Sequence, residues 1–360
     1  MTMSPRSSRL ACIDALKAVS SQLIVLHHLA FYGPMSDAAH VLAPGVLDWL
    51  SQYARIAVQV FLVVSGFLAA RSLAPGGELL VQRPLAALWR RYQKLVVPYS
   101  VAIVLAIAGA AVARHWMHHD SIPAAPHLRQ FIAHVLLMHS LLDVDALSAG
   151  VWYVAIDMQL FALLLALLWA ARTIGAGARG FGIVLVVAMA LASLFWFNRD
   201  AAWDVWAVYF FGAYGLGTLA YWASSPGRPA LPLLLLGAVA LLALAVDFRL
   251  RIALALVVAL LLGVVRRQGW LEQWQGGALL AWCGRVSYSV FLVHFPVCLV
   301  VNALFFHFLP GRPLANACGM VLAWAASNVA GALFHRYVEA AGLTGLLRAR
   351  WMLWRSGHAA

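Results

Sequence analysis

The stretch IDALKAVSSQLIVLHHLAFY, residues 13–32, is long enough to cross a bilayer as one helix, yet it carries an acid, a base and two histidines. A helix rises about 1.5 Å per residue, so about twenty residues match the hydrocarbon thickness. At about 100° per residue, Asp14, Lys17, Ser21 and His28 fall within roughly 60° of one another and form one polar stripe. An ionisable group at the centre of a bilayer costs about 3 kcal/mol or more, so a whole stripe on one face marks a functional surface. A Lys17 that snorkels to the interface and pairs with Asp14 explains the start of the stripe, but His28 lies about 16 Å further along the axis. His27 points to another face, where packing or a local hydrogen bond suffices.

The rest of the chain repeats the apolar pattern without the stripe. Of 360 residues, 64% are hydrophobic and 11% charged, with a mean hydropathy of +0.86. Soluble domains carry about 25% charged residues. Apolar runs fall near 13–33, 54–73, 95–113, 151–171, 180–198, 203–222, 231–247, 250–266, 284–308 and 314–337. Runs this long suit helices, which satisfy their backbone internally, rather than the alternating strands of a barrel. The expected fold is therefore all-α: a polytopic membrane helical bundle of about ten transmembrane helices. A weaker run at 128–142 reads as re-entrant or interfacial.

Basic residues gather in alternate loops, among them Arg6, Arg9, Arg71, Arg83, Arg90, Arg91, Lys94, Arg172, Arg179, Arg266 and Arg267. Most acids, such as Asp37, Asp120, Asp143 and Asp200, fall in the others. This asymmetry predicts both termini on the cytoplasmic side. One transmembrane domain over 1–345 and a short basic cytoplasmic tail over 346–360 are expected, without a cleavable leader. The net charge of +12 belongs to these loops, and no basic arm or aromatic-basic module points to nucleic acid. Cys12, Cys283, Cys298 and Cys318 have no zinc spacing and read as reduced, packed thiols.

Two later spans place polar groups at the depth of His28. In GVWYVAIDMQLF, Asp157 lies about 9 Å below the outer surface. In RVSYSVFLVHFP, His294 lies about 13 Å in from Arg285. His28, Asp157 and His294 can thus share one layer, and a histidine oriented by a carboxylate is a general-base arrangement. Against this stand a satisfied core histidine near Pro296 and an Asp157 that only bonds helix to helix. On the inner side, Arg83, Arg90, Arg91 and Lys94 make a basic face that suits phosphates or anionic lipid headgroups. His115, His118, His119, His127, His134 and His139 crowd the long outer segment, but no metal-binding spacing completes them, so a solvated or interfacial loop is expected.

These motifs together resemble the membrane acyltransferase 3 superfamily. Its first helix carries an Arg or Lys, ten residues, then His, after an acidic-Gly/Ala-Leu step; Asp14, Lys17 and His28 stand in that frame. VQVFLVVSGFLAARS is similar to its second-helix segment, with Ser65, Gly66 and Phe67. RRYQKLVVPY is similar to its basic stretch before a Pro-Tyr pair, Pro98 and Tyr99, and VSYSVFLVHFP to its late segment, with Ser287, Tyr288, Ser289, His294 and Pro296. Two positions depart from the pattern: Asp157 stands where a Glu is usual, and Lys17 where Arg is commoner.

The resemblance covers nearly the whole chain and agrees with a ten-helix core. It implies transfer of an acyl group, most often acetyl, from cytoplasmic acyl-CoA to a hydroxyl. Acceptors in the family are sugars of surface glycans, lipid-linked saccharides or small hydrophobic molecules. The expected enzyme is a multi-pass O-acyltransferase of a bacterial inner membrane, with acyl-CoA as donor substrate, no permanently bound cofactor and no metal. His28, Asp157 and His294 are its expected catalytic residues, and Lys17, Arg83, Arg90, Arg91 and Lys94 hold the donor's phosphates. Asp14, Ser21, Ser65, Ser287 and Tyr288 belong to the same surroundings. The alternative is a transporter or glycan flippase, because intramembrane His and Asp also serve proton-coupled carriers.

Overall fold

The computed structural model describes residues 10–174, 178–274 and 276–342, and every regular element among them is helical. In chain order these are α1 (Ala11–Phe31), α2 (Pro34–Ala39), α3 (Pro44–Tyr53), α4 (Val58–Leu73), α5 (Pro84–Trp116), α6 (Leu128–Val135) and α7 (Trp152–Thr173). There follow α8 (Ala178–Phe195), α9 (Ala207–Ala223), α10 (Leu231–Val246), α11 (Leu250–Arg267), α12 (Trp270–Gln273), α13 (Ala278–Phe308) and α14 (Pro313–Phe334). A π-helical turn, His335–Glu339, continues α14. The expected tail over 346–360, with Arg6 and Arg9 at the other end, lies outside the described residues.

A long helix stands at each of the ten predicted runs. Six stretches are long and apolar enough to cross a membrane: Pro44–Leu73, Pro84–Trp116, Trp152–Thr173, Gly180–Arg199, Ala278–Phe308 and Pro313–Glu339. Length and composition alone therefore single out six candidate spans among the described residues, against the ten expected. The shortfall has physical causes. α9 and α10 have only 17 and 16 residues, α11 carries Arg251, Arg266 and Arg267, and α1 carries the polar stripe. Leucines of α10 such as Leu234, Leu235, Leu241 and Leu242 are exposed, as on a surface meant for lipid. α6 has eight residues, too short to span, in keeping with the reading of 128–142.

Contacts gather in two compact units. The first comprises Met1–Ser20, Ile56–Arg90 and Tyr153–Arg285; the second comprises Ser21–Arg55, Arg91–Trp152 and Val286–Ala360. At the centre of the first is α9, packed against α4, α8 and α11. Its sequence GAYGLG lets backbones approach closely, as small residues do between membrane helices. A Cβ on Gly66 of α4 would run into the Tyr214 carbonyl, and one on Gly217 into that of Val63. Thr218 closes the crossing by donating its hydroxyl to the Gly66 carbonyl at 3.1 Å.

In the second unit α13 is central. Val286, Val290, Cys298 and Val301 pack with Val25 and Leu29 of α1, Met35 of α2 and Ala323 of α14. Phe295, Leu299 and Ala303 pack with Ala110 and Ala113 of α5 and with Met117. Glycines permit the tightest contacts: Gly109 lies against Pro296, and Gly331 against the backbone of Val290.

Candidate active site

The polar stripe is less buried in its first turn than in the rest of α1. Asp14 and Lys17 are half-buried, whereas Ser21 is 1% and His28 7% exposed. Asp14 lies where α1 meets Gly284 of α13, and a Cβ on that glycine would strike the Asp14 backbone. The stripe thus joins an accessible end to a dry one on a single helix.

At the dry end two histidines meet. His28 Nδ1 lies 2.6 Å from Nε2 of His294, which is fully buried in α13. The ring planes differ by 2° and the centroids are 4.8 Å apart. With nitrogens this close, the rings must lie edge to edge in one plane, the geometry of a well-aligned hydrogen bond.

The direction of that bond follows from the next partner. His294 Nδ1 lies 3.2 Å from the Val290 carbonyl, one turn earlier on α13. A carbonyl only accepts, so Nδ1 of His294 carries the proton, and a neutral His294 presents a lone pair at Nε2. His28 Nδ1 must then donate, which leaves the lone pair of a neutral His28 on Nε2. The pair is arranged to make Nε2 of His28 the basic atom.

Nearby elements hold this pair. His27 Nδ1 bonds the Leu50 carbonyl at 3.0 Å, the local role its position on the helix predicted. Tyr32 packs against His28 with ring centroids 5.5 Å apart, and edge-on against Phe295. Gly150, with φ +75°, lies against His28 Cε1 and the Phe291 ring, where a side chain would find contacts of 3.3–3.4 Å. Cε1 lies between the two ring nitrogens, so Gly150 borders the basic edge of His28. Sequence reading missed Gly150, although an Ala-Gly step just before a long apolar run was a visible signal.

Residues 10–331 match the profile of the acyltransferase 3 family, described as an acyltransferase domain. The chain belongs to the acyltransferase 3 family. No curated protein and no solved structure gives a match. The family covers both histidines of the pair, and it favours acyl transfer over carriage across the membrane.

The other expected site residues of this acyltransferase are spread along its helices. Asp157 is 3% exposed on α7, in the first unit. Gln159, two residues on, accepts from Ala207 N–H at 3.0 Å and donates to the Val205 carbonyl at 3.3 Å, tying α7 to the start of α9. Arg83 immediately precedes α5, and Arg90 and Lys94 lie on it; all three are exposed and share one face, while Arg91 is half-buried and turned away. Ser65 is half-buried on α4, beside the Gly66 crossing.

Ser287 is buried, and Tyr288 donates its hydroxyl to the Leu95 carbonyl of α5 at 3.2 Å. Ser289 donates to Glu339 at 2.5 Å, and His335 shares that carboxylate at 3.1 Å. Glu339 was not anticipated: it lies in the π turn beyond α14, a turn that sequence periodicity does not announce.

One expectation is corrected. His134 and His139 do not belong to a solvated loop; they are 0% and 2% exposed. His119 instead bridges Ser121 at 2.8 Å and the exposed Asp37 at 3.3 Å, as a surface residue does.

Proposed function

We propose that this acyltransferase is a multi-pass O-acyltransferase that moves an acyl group, acetyl first among them, from cytoplasmic acyl-CoA to a hydroxyl of a carbohydrate acceptor. In this reading ten helices cross a bacterial inner membrane with both termini cytoplasmic. The observation that carries it is the bonded pair His28–His294, which leaves a lone pair on Nε2 of a buried histidine inside an acyltransferase domain.

The chemistry follows from that lone pair. His28 Nε2 takes the proton of the acceptor hydroxyl as its oxygen attacks the thioester carbonyl. The C–O bond forms, the carbonyl electrons move to oxygen, and a tetrahedral intermediate results. When it collapses, the C–S bond breaks and the imidazolium of His28 returns the proton to the leaving sulfur, giving an ester and free CoA. Through both steps His294 Nε2 accepts from His28 Nδ1–H, holding the ring and supporting its charged form. Asp157 is proposed as a further orienting acid. Lys17, at the accessible end of the stripe, and the basic residues of α5 are proposed to take the donor's phosphates. An arm extended over about 16 Å then matches the distance along α1 from Lys17 to His28.

The test is the base-labile acyl ester content of the cell's own surface glycan in a strain carrying the wild-type chain or His28→Ala. The expected result is a loss of about a thousandfold in ester formation. Full activity of His28→Ala overturns the proposal.

A further inference from the structure

A second histidine pair lies in the segment between α5 and α7, and the mechanism above does not use it. The segment folds back along α5, for Tyr92 donates its hydroxyl to the carbonyl of Val135, the last residue of α6, at 2.9 Å. Tyr92 follows Arg91 and precedes Lys94 by two residues, so α6 ends beside this part of α5. The far end of the segment is Gly150, against His28. This stretch therefore reaches from Tyr92 of α5 to the reacting histidine, all within the second unit.

Between those ends His134 is fully committed. Its Nδ1 donates to the Gln130 carbonyl at 2.8 Å, and its Nε2 accepts from Leu147 N–H at 3.1 Å. His139 stacks face to face on it, with centroids 4.3 Å apart and planes 11° from parallel. His139 is 2% exposed, and neither of its ring nitrogens has a hydrogen-bond partner. The backbone does not need those nitrogens: Met138 N–H bonds Ala133 O, and Val144 N–H bonds His139 O. The turn that presents the ring places Leu137 at φ +57°, a conformation that leucine rarely adopts.

A buried polar group in a folded protein normally finds a partner. A neutral imidazole offers one N–H and one lone pair at its edges. The complement is a group that presents both a carbonyl and an N–H, and the pantetheine arm of CoA carries two secondary amides. We propose that His139 binds the donor's arm, with its ring nitrogens hydrogen-bonded to the arm's amides as the thioester approaches His28. The proposal rests on acyl-CoA being the donor. His139 is a binding residue in this scheme and takes no part in proton transfer.

The test uses the full chain in lipid nanodiscs and two probes: CoA, and adenosine 3′-phosphate 5′-diphosphate, which has the same phosphates and no arm. His139→Phe keeps a ring stacked on His134 and removes both nitrogens, whereas His139→Asn keeps one donor and one acceptor. His139→Phe is expected to bind CoA about tenfold more weakly, as loss of ligand hydrogen bonds implies. It should bind the armless probe as the wild type does, and His139→Asn should recover part of the CoA affinity. Unchanged CoA binding by His139→Phe overturns the proposal while leaving the donor reading intact. Equal weakening of both probes also overturns it, because His139 then acts through the fold. If the wild type binds neither probe, the donor reading fails and the proposal fails with it. Should His139→Phe not fold, His139→Leu supplies the same comparison, and retention of the armless probe verifies its fold.

Discussion

The two histidine pairs use the same side chains in opposite ways. His28 and His294 lie edge to edge in one plane, joined by a 2.6 Å bond. His134 and His139 lie face to face, and only His134 has its nitrogens bonded. An in-plane bond fixes which nitrogen holds a proton, and the Val290 carbonyl sets the sense of the chain from outside. A face-to-face stack fixes the position of a ring without using the hydrogen-bonding atoms at its edges. Ring orientation thus separates a pair joined by a hydrogen bond from a pair joined only through its faces.

Substitutions can break or sharpen this contrast. The largest effect is expected at His28: His28→Ala lowers kcat for acyl transfer about a thousandfold, with CoA binding retained. Next is His294. His294→Ala removes the acceptor that orients His28 and lowers kcat about a hundredfold, whereas His294→Gln, whose amide oxygen can still accept, stays within about tenfold of wild type. Equal losses in the two variants would show that an accepting oxygen at this position does not orient His28.

His139→Phe is expected to raise KM for acyl-CoA about tenfold while leaving kcat unchanged, the reverse of the pattern at His294. A fall in kcat would merge the two pairs into one function. The smallest effect on chemistry is expected well away from both pairs. Gly66→Ala forces α4 from the Tyr214 carbonyl and lowers stability by about 1–3 kcal/mol, read as a lower unfolding temperature in nanodiscs, with kcat of the folded fraction unchanged.

Much of this fold was legible because long apolar runs dictate helices wherever they fall. The boundaries were less so. α5 starts at Pro84 rather than near 95, since its basic, amphipathic first turns continue the helix beyond the apolar run. α2 and α3 went unpredicted: they are short helices, each begun by a proline, in a segment with no long period.

The site divides similarly. The stripe on α1 was readable from local periodicity, and His294 from its depth on a second helix. That these two histidines bond each other was not readable, because 266 positions separate them and only packing in three dimensions joins them. The burial of His134 and His139 was hidden for the opposite reason. A histidine-rich segment has the composition of a wet loop, and nothing in its local pattern announces that it folds back to bond Tyr92 and to meet His28 at Gly150.

The assignment of the basic nitrogen bears most directly on the account. Nitrogen-15 NMR of the histidine-labelled chain in nanodiscs, with the His28 resonances identified by their loss in His28→Gln, reports which ring nitrogen is protonated. The account predicts a proton on Nδ1 and a lone pair on Nε2 of His28, coupled across the bond to an unprotonated Nε2 of His294. A His28 protonated at Nε2, with its lone pair on Nδ1, would contradict it.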